Sequence, residues 1–308
     1  MKGSPHPGLG KNIPGRVSLY YFDQLSESLY GAEVVIIAVL SEGFTEIFKS
    51  VLDNISGNKP PVFMTVTKGF TAEGDRISRI SETASGILSN RYDYSVPWIS
   101  VGGAVKAAEL AGYIPTCSVY ALSDPGLEFL ADKFSTGYYR VETSGDITGL
   151  ELCSALKNVY STALGMCDGL YSSGSADHYD NIKACLFGCA LEEMSEIVSE
   201  SGGLRETVNS HGGAGDLYVT SQSGRNRKFG FFVGSGEDPE KAYRRMKTEG
   251  ETAEGYMTLK SASEYVKQSL PRLNGKLPLL DALHDIIFRG RDCRKTLTSD
   301  FFQETRPS

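Results

Sequence analysis

The segment "AEVVIIAVL", residues 32–40, decides the fold class of this chain. It is the longest apolar run in the sequence, and its valines and isoleucines favour a β-strand over a helix. Because the run has only nine residues, it is too short to span a bilayer, and we predict no membrane helix. A strand that is apolar on both faces is typical of a parallel or mixed sheet covered by helices.

Similar strand candidates recur through the first half of the chain. They are rich in Val, Ile, Tyr and Thr, and they comprise Val34 to Val39, Val62 to Thr67, Trp98 to Val101, Cys117 to Leu122, and Tyr138 to Val141. The segments between them read as helices or turns, which predicts a doubly wound, Rossmann-like α/β sheet. Ligands bind at the carboxyl edge of such sheets, where "TVTKGF" places Lys68 and "ISVGGA" places Gly102 and Gly103.

The second half of the chain has long helical periodicity. It begins near Thr148, which we predict as a helix N-cap in a capping box with Glu151, and the first helix runs through Cys167. Further helices are predicted at Asn181 to Glu200, Pro239 to Lys247, Ala253 to Lys267, and Leu279 to Phe288. We therefore expect a dinucleotide-binding domain at 1–146 and an all-helical substrate and catalytic domain at 147–308.

The composition and charge limit the cellular location and the kinds of partner that we expect. A net charge of −7 argues against nucleic acid or an anionic membrane surface as a partner, since both require a broad basic face. The N-terminus has no apolar core segment, so we expect no secretory signal and a cytoplasmic location. The six cysteines form no C-x-x-C, and Cys185 and Cys189 have no histidine pair in their segment, so we predict reduced thiols and no metal site.

Lys157 lies inside the first apolar helix of the second half. It belongs to a stripe of small or polar residues that comprises Ser154, Asn158, Ser161, Gly165 and Asp168. Burial lowers the pKa of an amine, so a buried lysine here would donate and recover a proton near neutral pH. The alternative is a surface lysine whose stem packs on apolar neighbours.

A second cluster lies in "HGGAGDLYVTSQSGRNRKFG", residues 211–230. Its glycines predict a tight turn, after which Asp216 and Thr220 share one helical face. The basic "RNRK" that begins at Arg225 concentrates positive charge, and a guanidinium beside the Asn226 amide suits a phosphate dianion. The alternative is an exposed, solvated basic loop.

Three stretches of the second half carry a family resemblance. "SALKNVYSTALGMCDGL", "GGAGDLYVTSQSGRNRKFG" and "GETAEGY" resemble the substrate domain of NAD(P)-dependent sn-glycerol-3-phosphate dehydrogenases. In the first half, "AVLSEGF", "TKGF" and "GGAVKAAEL" resemble the cofactor-domain segments of that family. The similarity runs from about His6 to beyond Gly255, and it implies a Rossmann-like sheet followed by a helical domain.

The resemblance implies a role for each matching residue. Lys157 would be the proton donor and acceptor at the C2 oxygen of the substrate, Asp216 would orient it, and Lys68 would contact substrate and cofactor. The implied substrate-binding residues are Gly103, Asn158, Thr220, Arg225 and Asn226, of which the last two would hold the phosphate. The implied cofactor-binding residues are Phe44, Lys68, Ala107, Arg225 and Glu254.

The resemblance also implies an activity. The enzyme would transfer a hydride between NADH or NADPH and dihydroxyacetone phosphate, giving sn-glycerol 3-phosphate for lipid synthesis, and it would be a cytoplasmic homodimer. Two alternatives stay open: a catalytically dead relative that binds a phosphorylated metabolite, and another two-domain dehydrogenase such as a ketopantoate reductase. The arginine and asparagine pair argues against the latter.

The start of the chain departs from the family pattern. The family has a strand, a glycine-rich turn and a helix before the segment that matches "HPGLG", whereas Gly8, Gly10 and Gly15 do not have the G-x-G-x-x-G spacing. We therefore expect a truncated or mis-started form that lacks the first βαβ unit and binds nucleotide poorly. The choice between NAD and NADP depends on that unit and stays open.

Overall fold

The first half of the chain forms a mixed β-sheet. A computed structural model describes residues 5–6, 8–57, 59–172 and 179–301, so Pro7 of the glycine-containing N-terminal stretch lies outside the described residues. The strands are β1 (Val34–Ile37), β2 (Val62–Thr65), β3 (Phe70–Glu73), β4 (Arg76–Arg79), β5 (Trp98–Gly102), β6 (Thr116–Leu122) and β7 (Tyr139–Ser144).

The main sheet has the strand order β1-β2-β5-β6-β7. Its strands pair in parallel except for β5 and β6, which are antiparallel. The predicted α/β class is confirmed, and the sheet is of the mixed type. Strands β3 and β4 form a separate antiparallel hairpin that the strand pattern did not predict. Its turn places Gly74 at a φ of +61°, which glycine adopts without steric cost.

Helices cover the sheet and make up the second half. They are α1 (Leu25–Leu29), α2 (Ser41–Asn54), α3 (Ile80–Ser89), α4 (Ala107–Ala111), α5 (Glu128–Phe134), α6 (Ile147–Tyr171), α7 (Asp180–Glu200), α8 (Arg205–Val208), α9 (Asp216–Gln222), α10 (Arg225–Gly234), α11 (Pro239–Thr248), α12 (Glu254–Ser269), α13 (Pro278–Arg289) and α14 (Cys293–Lys295). Among the described residues, none of these helices is long and apolar enough to cross a membrane.

Helix α6 begins one residue before the predicted cap. The prediction of Thr148 as N-cap is wrong: the cap is Asp146, whose carboxylate accepts the backbone N–H of Gly149. Asp146 also accepts hydrogen bonds from the Thr207 hydroxyl and the backbone N–H of Leu204. The bonds from Leu204 and Thr207 hold the Asp146 carboxylate in place. It is therefore positioned to accept the free N–H of Gly149 at the start of α6.

The helical half is built around α6, which is buried on every side from Gly149 to Leu170. Helices α7, α9, α10 and α12 pack against it, and a single apolar cluster joins α6, α7, α12 and α13. This all-round burial explains why α6 lacks the polar face that a surface helix has. Any charged residue on α6 is therefore brought out of water.

Helices α6 and α10 approach each other at glycines. A β-carbon added at Gly165 would lie 2.2 Å from the backbone oxygen of Arg227, and one at Gly230 would lie 2.1 Å from that of Thr162. Gly234 meets the backbone of Met166 in the same way. Since real β-carbons do not come this close to backbone, these contacts exist only because glycine has no side chain.

Candidate active site

Two lysines share one buried carboxylate between the sheet and the helices. Lys157 on α6 donates to Oδ1 of Asp216, the first residue of α9. Lys68, just beyond β2, donates to Oδ2 of the same carboxylate at 2.9 Å. Lys157 is only 7% exposed and Asp216 only 1%, whereas the Lys68 side chain is 23% exposed. Two lysine amines thus share the single negative charge of the Asp216 carboxylate.

Burial and the neighbouring charges together set the pKa of each amine. Burial, together with the neighbouring Lys68 charge, lowers the pKa of Lys157 to about 7, against the opposing attraction of Asp216. Burial also acts to lower the pKa of Lys68, but the charge and hydrogen bond of Asp216 outweigh it and raise that pKa. Lys157 is therefore the amine that exchanges a proton near neutral pH, and Lys68 stays charged.

A second polar network adjoins the lysines. The Asn226 amide donates to Oδ1 of Asn158 at 2.9 Å, and its oxygen accepts the backbone N–H of Gly255 at 2.8 Å. Glu254 accepts from Asn158 at 3.3 Å and from Arg225 at 3.1 Å. These bonds hold the amides in place, and the Arg225 side chain remains about half exposed.

The lysines and the second network line one cleft of about 260 Å³. It brings together most of the predicted site residues, namely Lys68, Lys157, Asn158, Asp216, Thr220, Arg225, Asn226 and Glu254. The cleft also includes residues that the sequence patterns did not single out, namely Val105, Lys106, Val219, Ser223 and Gly224. Their position was the available signal: Val105 and Lys106 follow β5, Val219 lies in α9 next to the predicted Thr220, and Ser223 and Gly224 lie between α9 and α10.

The beginning of α10 faces this cleft with unpaired backbone donors. The first backbone hydrogen bond of α10 runs from the N–H of Lys228 to the carbonyl of Gly224, so the amides of residues 225–227 have no partner within the helix. Such a helix N-terminus attracts anions through its free N–H groups and its dipole. The Arg225 guanidinium strengthens that attraction.

Other predicted residues lie elsewhere. Phe44 is fully buried in the sheet core, stacked on Phe48 at 5.4 Å and edge-on to Trp98, so it does not line the cleft. Ala107 is exposed at the start of α4, and Gly103 is buried against β6, and neither lines the cleft. Packing of the aromatic core, which has no signature in a single motif, decides the position of Phe44.

Two residues of the basic cluster line the cleft, and the other two form ion pairs outside it. Arg227 binds the buried Asp168 at 2.6 Å, and Lys228 binds Glu251 at 2.9 Å. Only Arg225 and Asn226 of the "RNRK" sequence line the cleft. The interpretation of the whole cluster as an exposed basic loop is wrong, because these residues form the first turn of α10.

Comparison with family models covers both halves of the chain. Residues 10–127 match the N-terminal model of NAD-dependent glycerol-3-phosphate dehydrogenases, and residues 146–298 match the C-terminal model. The chain belongs to this family. The resemblance drawn from the sequence motifs is thereby confirmed, and with it an oxidoreductase that uses NAD or NADP.

Individual glycerol-3-phosphate dehydrogenases align over most of their length. The NADP(+)-dependent enzyme of Archaeoglobus fulgidus is 30% identical over 96% of this chain and 85% of its own. The NAD(P)+ enzyme of Bacillus velezensis is 31% identical over 89% of this chain and 75% of its own. The crystal structure of the Coxiella burnetii enzyme superposes with a TM-score of 0.79 at 27% identity, covering 97% of this chain and 84% of that one.

A second cavity tests whether the chain fits the dinucleotide of this family. It has a volume of about 220 Å³, is lined by Leu40, Ser41 and Met257, and shares Lys68 and Glu254 with the cleft. Leu40, Phe70, Ala72 and Met257 give this cavity an apolar part, and its remaining residues are polar or charged. Apolar surface beside fixed polar groups suits the nicotinamide end of NAD or NADP. The G-x-G-x-x-G turn that binds pyrophosphate in Rossmann folds does not occur in residues 1–308.

Proposed function

We propose that this chain catalyses the reversible conversion of dihydroxyacetone phosphate to sn-glycerol 3-phosphate with NADH or NADPH. The observation that carries the proposal is the pair Lys157 and Lys68 on the Asp216 carboxylate, in one cleft with Arg225 and Asn226. The bound cofactor supplies the hydride. The chain's own residues must bind the phosphate, orient C2 and move one proton.

Lys157 supplies that proton. During reduction the C2 oxygen gains negative charge, and an ammonium group directed at it stabilises the charge and then protonates it. The amine left by the transfer is tolerated because burial and Lys68 already disfavour a second positive charge. Asp216 holds both lysines in position, so its role is to fix their geometry and balance their charge.

Arg225 and the first turn of α10 bind the phosphate. A dianion entering the cleft meets the guanidinium, the free amides of the turn and the one Asn226 amide hydrogen that the Asn158 bond does not use. Glu254 holds Arg225 at 3.1 Å, which keeps the guanidinium ordered before the substrate arrives. Binding energy at the phosphate is thereby converted into orientation of C2.

The pKa of Lys157 predicts opposite pH profiles in the two directions. Reduction requires the ammonium form, so kcat/KM for dihydroxyacetone phosphate should fall above about pH 7, whereas oxidation requires the amine, so kcat/KM for glycerol 3-phosphate should rise up to about pH 7 and then level. Initial rates measured from about pH 5.5 to about pH 9.5 give both profiles. Profiles that bend in the same direction would contradict the assignment.

Arg225→Ala should weaken binding of the substrate phosphate. Loss of a charge-assisted contact predicts a roughly 10- to 100-fold lower kcat/KM for dihydroxyacetone phosphate. Unphosphorylated dihydroxyacetone should be reduced equally poorly by both proteins, because it never used Arg225. Lys228→Ala is the matched control, since Lys228 pairs with Glu251 outside the cleft. An Arg225→Ala enzyme with native kcat/KM would remove Arg225 from the phosphate site.

The activity itself is tested by NADH and NADPH oxidation with dihydroxyacetone phosphate. The assay uses the 308-residue chain and a version extended at its N-terminus by a relative's glycine-rich βαβ unit. Turnover by either supports the proposal. If neither turns over while both bind glycerol 3-phosphate, the chain is instead a phosphometabolite-binding relative.

We also propose the division of the chain and its setting. A dinucleotide-binding part at 1–146 and a helical catalytic part at 147–308 are supported by the start of α6 at Ile147. A homodimer remains a prediction, and a cytoplasmic location remains a prediction from the N-terminal sequence. Light scattering on the purified chain measures its oligomeric state.

A further inference from the structure

Three potential metal ligands converge outside the active site. They are Cys117 at the start of β6, Glu142 in β7 and His211 in the turn before α9, and one ligand atom from each lies within 4.8 Å of the other two. Each residue comes from a different part of the chain, so local sequence spacing does not bring them together. Sheet pairing and the docking of the turn do.

The sheet register explains the approach of two of them. In the parallel pair of β6 and β7, Cys117 lies opposite Arg140 and Val119 lies opposite Glu142. Since residues two apart on a strand share a face, Cys117 and Glu142 are diagonal neighbours on one face of the sheet. The turn that contains His211 packs on this face, where a β-carbon on Gly212 would lie 3.7 Å from the Val119 side chain.

Hydrogen bonds already position the carboxylate. Glu142 has one oxygen 2.9 Å from Arg140 and the other 3.0 Å from Nδ1 of His211. The Arg140 side chain is 75% exposed and can remain beside the carboxylate or move into solvent when a cation arrives. The other ring nitrogen of His211 and the Cys117 sulfur are not used by these two bonds.

We propose that Cys117, Glu142 and His211 bind a Zn²⁺ ion, with the fourth position left to water. Thiolate, imidazole and carboxylate are the ligands that Zn²⁺ takes in proteins, and three protein ligands with an open position are one of its usual arrangements. Bond lengths of about 2.0–2.3 Å at tetrahedral angles place ligand atoms roughly 3.3–3.8 Å apart. Side chains now within 4.8 Å reach that spacing by shifts of about 1 Å. Mg²⁺ and Ca²⁺ prefer oxygen ligands alone and are not expected here.

The site joins the sheet to the active-site turn. His211 begins the helical turn that ends at Gly215, directly before Asp216. An ion held by His211 and by two strands ties this turn to the sheet. Zn²⁺ therefore raises the thermal unfolding midpoint of the chain, because it binds the folded arrangement and not the separated segments.

Titration of the 308-residue, untagged, chelator-treated chain with ZnCl₂ against a chromophoric chelator tests the site. We expect about one equivalent bound, and at least about a tenfold weaker affinity in Cys117→Ser and in His211→Leu. Co²⁺ in place of Zn²⁺ should give a thiolate-to-metal charge-transfer band that Cys117→Ser removes. MgCl₂ should leave the unfolding midpoint unchanged.

Cys185→Ser is the matched control, because Cys185 lies four residues from Cys189 on α7 and offers an alternative thiol site. It should bind Zn²⁺ as the parent chain does. The proposal is overturned if the parent chain binds no Zn²⁺, or if Cys117→Ser and His211→Leu bind it unchanged. Circular dichroism confirms that each variant is folded before titration.

Discussion

Lys157→Met should lower kcat for dihydroxyacetone phosphate reduction by about 10²- to 10⁴-fold, the range expected when a general acid is lost. Methionine nearly fills the volume of the buried lysine, and Asp216 keeps Lys68 as its partner, so the change leaves no unpaired buried charge. Substrate affinity should fall much less, since the phosphate contacts remain. Stopped-flow and steady-state kinetics separate the two effects.

Lys183→Met provides a closely matched control for that experiment. Lys183 also pairs with a buried aspartate, Asp168, which keeps Arg227 as a second cation when the lysine is removed. The same chemical change is thus made at a carboxylate outside the cleft, and kcat should stay within about twofold of native. A Lys157→Met enzyme within tenfold of native kcat would show that another group delivers the proton.

Gly165→Ala should cost about 3 kcal/mol of unfolding free energy, at the upper end of the usual cost of overpacking, because the new methyl group meets backbone. The methyl group would lie 2.2 Å from the carbonyl oxygen of Arg227, so α6 and α10 must move apart to accommodate it. Since total stabilities are about 5–15 kcal/mol, this is a large fraction of the whole. Urea unfolding followed by circular dichroism measures the loss.

Gly188→Ala is the control for the glycine experiment. Gly188 lies in the interior of α7, and beyond its chain neighbours and the nearby backbone of its own helix a β-carbon there would have no atom within 4 Å. Alanine should therefore stabilise the chain by about 0.5–1 kcal/mol, because it reduces the entropy lost on folding. If Gly165→Ala unfolds at the same urea concentration as the parent chain, α6 and α10 are not in the close contact described here.

Local patterns predicted much of the fold. The five predicted strands are all present, with ends shifted by up to three residues, because their Val, Ile, Tyr and Thr residues favour extended backbone. Burial on both faces is incomplete, since Ile36 of β1 is 48% exposed and β7 has no fully buried residue. The β3 and β4 hairpin was missed although Gly74-Asp75, a two-residue turn signal, lies between its strands. Its strands are short and partly polar, so the apolar pattern was too weak to reveal them.

Most of the predicted site residues line one cleft, but the sequence could not predict the hydrogen bonds that join them. Lys157 and Asp216 stand out locally, as a charge in an apolar helix and a carboxylate after a glycine turn. Their hydrogen bond spans 59 residues, and the Lys68 bond spans 148, so the shared carboxylate emerges only from the packing of the sheet on α6 and α9. The core position of Phe44 has the same origin.

The glycine contacts fix how far apart α6 and α10 lie where both helices reach the cleft. The helices meet at Thr162 with Gly230 and again at Met166 with Gly234, and the same four-residue step leads back to Asn158 and Asn226. Lys157 and Arg225 immediately precede those two asparagines, so the backbone contacts set the separation of the two positions from which their side chains extend. If these side chains hold the two ends of the substrate as we propose, a phosphate ester one methylene longer should fit between them less well and be reduced more slowly.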